Sequence, residues 1–291
     1  MLLLKMTYFQ LLPIHRILAN IPRHVNNNLF VWGEQMKSYF KWHNYIIKDS
    51  FPLHSKECVY FLNHRESADF AIDAYLTEGR AMFISRWFVF VSAPWMGLLT
   101  LIGNGVYYFS RTKNIDKKQF VENVETHRLN YSDYKSVNIY PEGTRRFETN
   151  CIRIKDGGIY YSFLCELPIQ IIITKNKEFV FSLKTWSSRD NANCYTYRSN
   201  VICPRNFNSF EEYRTFVCEE WTRCWDIVYG KEYTPEMCDL FVPNAPTISP
   251  SRKTMMKLYI MRFLLFALLF ASLRSSIGAL PRSYVPSLGL I

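Results

Sequence analysis

Between residues 57 and 229 the hydrophobic positions fall into short blocks whose period switches between strand-like and helix-like, with polar turns between them. Residues 57–62 (ECVYFL) read as a short buried strand, residues 69–78 as a helix, and residues 115–129 as a second helix with apolar positions 120, 121 and 124. Residues 137–140, 167–174 (LPIQIIIT) and 179–183 are rich in β-branched and aromatic side chains and read as further strands. Ser209 and Glu212 form a capping-box pair ahead of Phe210, Tyr213, Val217, Trp221, Cys224 and Val228, which recur at helical spacing as far as residue 229. Strands alternating with helices predict an α/β layer fold.

Three apolar stretches depart from this alternation. Residues 1–21 are apolar but interrupted by Lys5, Pro13, His15 and Arg16, so they suit an interfacial anchor better than a clean transmembrane helix, and no small-residue cleavage signature follows them. Residues 87–109 carry no charge, yet Pro94, Gly97, Gly103, Asn104 and Gly105 punctuate the run, which suits core packing or insertion into one leaflet more than a full span. Residues 258–273 are apolar except for Arg262, which can snorkel from a helix end, and form the best transmembrane candidate. A helix lying in the interface or packed on the body is the rival reading there. Three prolines between 242 and 250 suggest a linker before it. The expected organisation is a membrane-associated segment at 1–50, a catalytic domain at 51–241, a linker at 242–257 and an anchor at 258–291.

Charge sharpens that division. The 291-residue chain has a formal net charge of +10, and the excess lies at its ends: +5 in residues 1–56, +6 in residues 246–291 and −1 between them. A nucleic-acid-binding domain usually concentrates positive charge on its folded body, whereas basic flanks beside apolar runs fit an anionic lipid surface. Apolar residues make up 48% of the chain and charged ones 21%, which excludes disordered and low-complexity classes. The eight cysteines form no CxxC pair and no metal-ligand spacing, and read as small buried apolar residues in a reducing compartment.

Two strand exits carry the chemistry. In Asn63-His64-Arg65-Glu66-Ser67-Ala68-Asp69 a histidine and an aspartate stand five residues apart where a helix begins. On a continuous helix such residues point ~140° away from each other, so the side chains can meet only across a turn. There the carboxylate can take one ring N–H and leave the other nitrogen as a base. By spacing alone, an ordinary surface histidine beside a helix-start acid is the favoured reading of the pair. In Tyr140-Pro141-Glu142-Gly143-Thr144-Arg145-Arg146, Gly143 lets the backbone approach a ligand, and Thr144 with the arginines can grip a phosphate or acidic head group.

Together and in this order, the two segments resemble the glycerolipid acyltransferase family, specifically the 1-acylglycerol-3-phosphate acyltransferases. The family's NHxxxxD maps onto Asn63, His64 and Asp69, and its [FY]PEGTR onto residues 140–145. Residues 105–111 (GVYYFSR) look like its GxxFIxR block, with Arg111 at the arginine; Lys155-Asp156-Gly157-Gly158 and Leu167-Pro168-Ile169 are similar to its Lys-x-Gly and VPIxPV region. Glu66 stands where the family often has serine, and Ile171 replaces the second proline of the last block. Asn-His-Arg looks more like the branch that includes lysocardiolipin acyltransferases, so Glu66 bears on head-group choice rather than on the chemistry.

The resemblance implies a mixed sheet flanked by helices with membrane-associated termini. It implies His64 and Asp69 as catalytic residues and Arg111, Glu142, Gly143, Thr144, Arg145 and Lys155 as substrate-binding ones, with no metal and no cofactor. Acyl-CoA is then a co-substrate, lysophospholipid and membrane lipid are partners, nucleic acid is not, and the expected location is the endoplasmic reticulum membrane. The acceptor it points to is 1-acylglycerol-3-phosphate, giving phosphatidic acid. The alternatives are lysocardiolipin, lysophosphatidylinositol or another acceptor, or a catalytically silent membrane-binding protein that keeps the scaffold.

Overall fold

The computed structural model describes residues 28–87, 89, 104–110, 116–182, 184–185 and 187–245, with six further positions between 256 and 268. In chain order these form α1 (Asn28–Phe40), β1 (His43–Ile47), β2 (Val59–Leu62), α2 (Asp69–Leu76), β3 (Ala81–Arg86), β4 (Val106–Phe109), α3 (Lys117–Asn130) and β5 (Ser136–Ile139). Then come α4 (Asp156–Leu164), β6 (Ile169–Lys175), the short α5 (Lys177–Val180), β7 (Asn193–Ile202), α6 (Phe210–Tyr229) and β8 (Cys238–Leu240). Arg111, residues 1–27, the middle of the 87–109 run, residues 246–255 and most of 258–291 lie outside the described residues.

The strands pair into one sheet in the order β4-β3-β5-β2-β6-β7-β1-β8. From β4 to β6 the pairings are parallel, β7 runs antiparallel to β6 and parallel to β1, and β8 closes the edge antiparallel to β1. Every residue of β2 is buried, as are the first six of β6. That continuous burial is the mark of parallel strands covered by helices on both faces, and explains why ECVYFL and IQIIIT do not alternate. Val59, Phe61, Val137 and Ile171 share a core with Ile159, Tyr213, Val217 and Trp221 of α4 and α6. The α4 backbone sits so close that a Cβ on Gly158 would come within 3.1 Å of Phe61 and Ile139.

On α6, Ser209 caps the helix by accepting from the Glu212 N–H at 3.2 Å, and the buried stripe is Tyr213, Val217, Trp221, Cys224, Trp225 and Val228. A buried tryptophan covers roughly 150–250 Å², worth about 4–6 kcal/mol by transferred area, so Trp221 and Trp225 largely decide where α6 lies. A second core joins Phe30, Phe40 and Trp42 to Ile72, Tyr75 and Leu76, docking α1 on α2. Gly33 is the closest approach, since a Cβ there would meet Ala71 O and Tyr75 N at 2.8 Å. The folded body thus takes in residues 28–50 as well as the stretch after them. At its other end it holds the chain as far as Asn244, whose N–H donates to Glu78 at 2.9 Å.

The helices and strands expected from the sequence pattern are present, with one correction. Residues 179–183, expected as a strand, are not one. Asn176 enters the left-handed region (φ 73°) and starts α5, which buries Lys177 and Val180, while Phe179 is exposed. Among the described residues no helix is long and apolar enough to cross a membrane.

Candidate active site

Adjacent parallel strands deliver their next residues to the same edge of a sheet, where ligands of open α/β folds bind. β2 and β5 are such neighbours, with Phe61 opposite Ile139. The His64 turn and the Glu142 turn, far apart in sequence, therefore leave the sheet side by side.

The first turn is wound around one carboxylate. Asp69 opens α2 and is fully buried; its Oδ2 accepts from the backbone N–H of Arg65 at 2.5 Å and of Glu66 at 3.0 Å, and meets His64 Nδ1 at 2.8 Å. Four intervening residues are what the chain needs to curl back in this way. With Nδ1 engaged, Nε2 has no hydrogen-bond partner among the described residues, and the imidazole side chain is 18% exposed. The ring lies on that of Tyr140, 4.3 Å between centroids at 17°.

The turn is held on both flanks. Asn63 pairs with β6 like an extra strand residue: Nδ2 donates to Thr174 O and Oδ1 accepts from Thr174 N, each at 2.9 Å. Lys177, wholly buried, donates to Asn63 O at 2.9 Å and to both oxygens of Asp73 at 2.7 and 2.8 Å. Asp73 in turn accepts from the Tyr140 hydroxyl at 2.9 Å. Burial pushes the Asp73 carboxyl upward and the Lys177 ammonium pulls it back, with a net rise.

The second turn binds the first. His64 N–H donates to Glu142 Oε2 in a short hydrogen bond, and the Arg146 N–H donates to His64 O at 2.8 Å. Glu142 is buried, with Oε1 lacking a partner among the described residues. Burial raises its pKa to about 8, against the His64 N–H bond, which lowers it. Gly143 takes φ +72°, a conformation that favours glycine, and the flexible end of Lys155 lies where a Cβ would be, with Nζ at 2.5 Å. Lys155 therefore lies directly above the turn, its own N–H donating to Pro141 O at 2.9 Å.

Thr144, Arg145, Arg146 and Lys155 are exposed at this edge. Arg145 reaches Ser67 Oγ at 3.0 Å and stands 3.8 Å from the buried Glu66 carboxylate, with its own side chain 45% exposed. The structure thus gathers His64, Asp69, Glu142, Gly143, Thr144, Arg145 and Lys155 at one strand edge, a base beside a cluster of cations; Arg111 lies outside the described residues. Four residues at the site carried no functional reading in the sequence. Tyr140 and Arg65 sat inside the motifs, Asp73 was signalled only by standing one helical turn from Asp69, and Lys177 had no local signal.

The model of the acyltransferase family matches residues 41–173, a span running from β1 into β6 and containing both turns. The fold is similar to the crystal structure of the 1-acyl-sn-glycerophosphate (LPA) acyltransferase PlsC from Thermotoga maritima. That likeness has a TM-score of 0.55 at 12% identity, over 71% of this chain and 80% of that one. No curated protein sequence matches the chain.

Proposed function

We propose that the chain is a glycerolipid acyltransferase that moves an acyl group from acyl-CoA to the free hydroxyl of a lysophospholipid, with 1-acylglycerol-3-phosphate as acceptor. The observation that carries this reading is the His64–Asp69 pair, 2.8 Å apart, in a turn whose Ser67 and Glu66 meet Arg145. His64 Nε2 takes the hydroxyl proton as the oxygen attacks the thioester carbonyl; the C–O bond forms, the C–S bond breaks, and the imidazolium returns its proton to the departing thiolate. Asp69 holds the tautomer and offsets the charge of the imidazolium. Because the acceptor oxygen is itself the nucleophile, no acyl-enzyme is required.

Arg145, with Lys155 above Gly143 and Arg111 from the preceding block, is suited to the acceptor's phosphate. Glu142 and Thr144 shape the turn. Membrane attachment is part of the same proposal, since an acyl-bearing acceptor resides in lipid. It is supported by Met256, Ile260, Phe263, Leu264 and Leu268, apolar side chains that are all exposed, in a C-terminal region bearing six basic residues and no acid.

The experiment is coenzyme A release by the purified full-length protein in detergent, with oleoyl-CoA and a panel of lysophosphatidic acid, lysophosphatidylinositol, lysocardiolipin and glycerol 3-phosphate. Turnover on lysophosphatidic acid that disappears in His64→Ala supports the proposal. Turnover on another member alone moves the acceptor, and none on any acceptor sinks the reading.

A further inference from the structure

Arg65 has no step in the chemistry above, yet its side chain is only 1% exposed in the middle of the site. A buried guanidinium is expensive to desolvate and persists only where its donors are met. Here Nη1 donates to Glu148 O at 2.5 Å and Nη2 to Phe147 O at 2.7 Å. The other edge of the fork meets Glu178 of α5, at 3.0 Å from Nη2 and 3.5 Å from Nε. The guanidinium also stacks over Tyr229 of α6 at 5.4 Å. Although burial works against its charge, Tyr229 and Glu178 hold the Arg65 pKa above its ordinary value.

The carbonyls it grips belong to the segment that carries the proposed phosphate ligands. Residues 143–150 are exposed throughout and need ties to the body to hold one conformation. His64 O takes the Arg146 N–H, Arg65 takes the carbonyls of residues 147 and 148, and Trp225 Nε1 donates to Thr149 O at 2.6 Å. Two consecutive residues therefore divide the work: His64 presents the base, and Arg65 binds the far end of the arginine turn. A lysophospholipid held at its phosphate by that turn must place its hydroxyl on Nε2, and an error of about 1 Å is costly in such geometry.

We propose that Arg65 is a positioning residue that fixes the Arg145–Arg146 turn against His64, so that phosphate grip and base act on one acceptor molecule at a set separation. The acceptor part of this rests on the function proposed above; the tether does not.

The test uses full-length Arg65→Met, Arg65→Lys and Glu178→Gln, each checked for native circular dichroism. Tryptic cleavage after Arg145 and Arg146 reads the tether without reference to activity, and should quicken by about tenfold in Arg65→Met as the segment opens locally. Steady-state kinetics with lysophosphatidic acid and oleoyl-CoA should show the acceptor KM raised about tenfold while the acyl-CoA KM stays within about twofold. Arg65→Lys keeps the charge but not the fork and should fall between. Arg65→Met with unchanged cleavage or an unchanged acceptor KM, or with both KM values raised equally, overturns the proposal. Should Arg65→Met fail to fold, Glu178→Gln decides it, with a rise of about threefold in acceptor KM expected and no rise overturning it. A wild-type protein inactive on every acceptor defeats the functional reading instead, and the cleavage rates alone then judge the tether.

Discussion

The ring of Tyr140 lies under that of His64, 4.3 Å away and nearly parallel, and its hydroxyl donates to Asp73 at 2.9 Å. His64 is therefore oriented in two directions at once: Asp69 takes Nδ1 in the ring plane, and a tyrosine anchored to the core supports the ring face. Burial keeps the Tyr140 phenol well above its ordinary pKa, so it remains a neutral donor.

Tyr140→Phe separates the two supports. The stacked ring stays and only the bond to Asp73 is lost, while Asp73 keeps both contacts to Lys177. Stability should fall by about 1–2 kcal/mol in a denaturant titration, with turnover reduced only a few-fold. Tyr140→Leu removes the flat support as well and should cost about tenfold in kcat. A Tyr140→Phe protein as inactive as His64→Ala would show that the hydroxyl has a direct part in the chemistry.

The Lys177–Asp73 pair is a liability that the fold accepts in order to fix Asn63 and Tyr140. Both side chains are fully buried, so Lys177→Met leaves a carboxylate without its cation and should destabilise by about 3–5 kcal/mol. Lys177→Met combined with Asp73→Leu should recover much of that loss yet not the activity, because Tyr140 and the Asn63 carbonyl lose their partners. Additive losses in the two single variants and the double variant, measured by thermal unfolding, would mean that the two charges do not depend on each other.

These two networks mark the limit of what the sequence discloses. The pair His64 and Asp69 was legible because both members lie in one short loop, and the start of α2 at Asp69 and the Ser209 cap were legible because their signals are local. The strand expected at 179–183 failed for a tertiary reason. Its apolar residues resemble a strand, but the chain turns at Asn176 so that Lys177 can reach Asp73, 104 positions earlier. β7 was missed because buried polar residues are mixed among the apolar ones it sends into the core, Tyr195, Tyr197 and Ile202: Thr196 pairs with Thr174 at 3.0 Å, and Ser199 Oγ accepts from Ile171 N at 2.9 Å. A strand whose polar side chains are satisfied across the sheet does not show as an apolar alternation. Nothing local signalled the burial of Arg65, because its partners are main-chain carbonyls some eighty residues away and the carboxylate of Glu178.

Removal of the base is the most direct test of the chemistry. His64→Ala should lower kcat by ~10²–10⁴-fold without loss of folding, since the imidazole sits at a strand exit rather than in the packed core. Asp69→Asn keeps an acceptor for Nδ1 but cannot offset the imidazolium, and it weakens the turn because the Arg65 and Glu66 N–H groups share that oxygen. It should therefore lower both kcat and thermal stability. A His64→Ala protein retaining more than about a tenth of wild-type turnover would remove His64 from the role of base.

Arg145 stands between the solvent and the buried Glu66, 3.8 Å away, so the acceptor phosphate must share it with a carboxylate already in place. Arg145→Lys retains charge but loses the fork, and the acceptor KM should rise several-fold with little change for acyl-CoA. Glu66→Gln removes the competing charge and should shift the acceptor KM the other way. Parallel changes in the two KM values for Arg145→Lys would place that residue on both substrates.

Glu142 gives the sharpest dependence on pH. Its carboxyl, ordinarily near 4.5, is raised to about 8 in the folded protein by burial, so between those values the folded state holds a proton that the unfolded chain has released. More protons on the folded side mean that stability falls as pH rises through this window, by at most about 1.4 kcal/mol per pH unit, and levels off above it. Glu142→Gln is neutral throughout, and its amide oxygen can still accept from the His64 N–H. The variant should therefore lack this slope, gaining on the wild type from about pH 5 to pH 8 and running parallel to it beyond, in denaturant titrations across that range. Curves that stay parallel over the whole range would mean that Glu142 is ionised in the folded protein, and that a buried negative charge, not a neutral acid, holds the base's backbone in place.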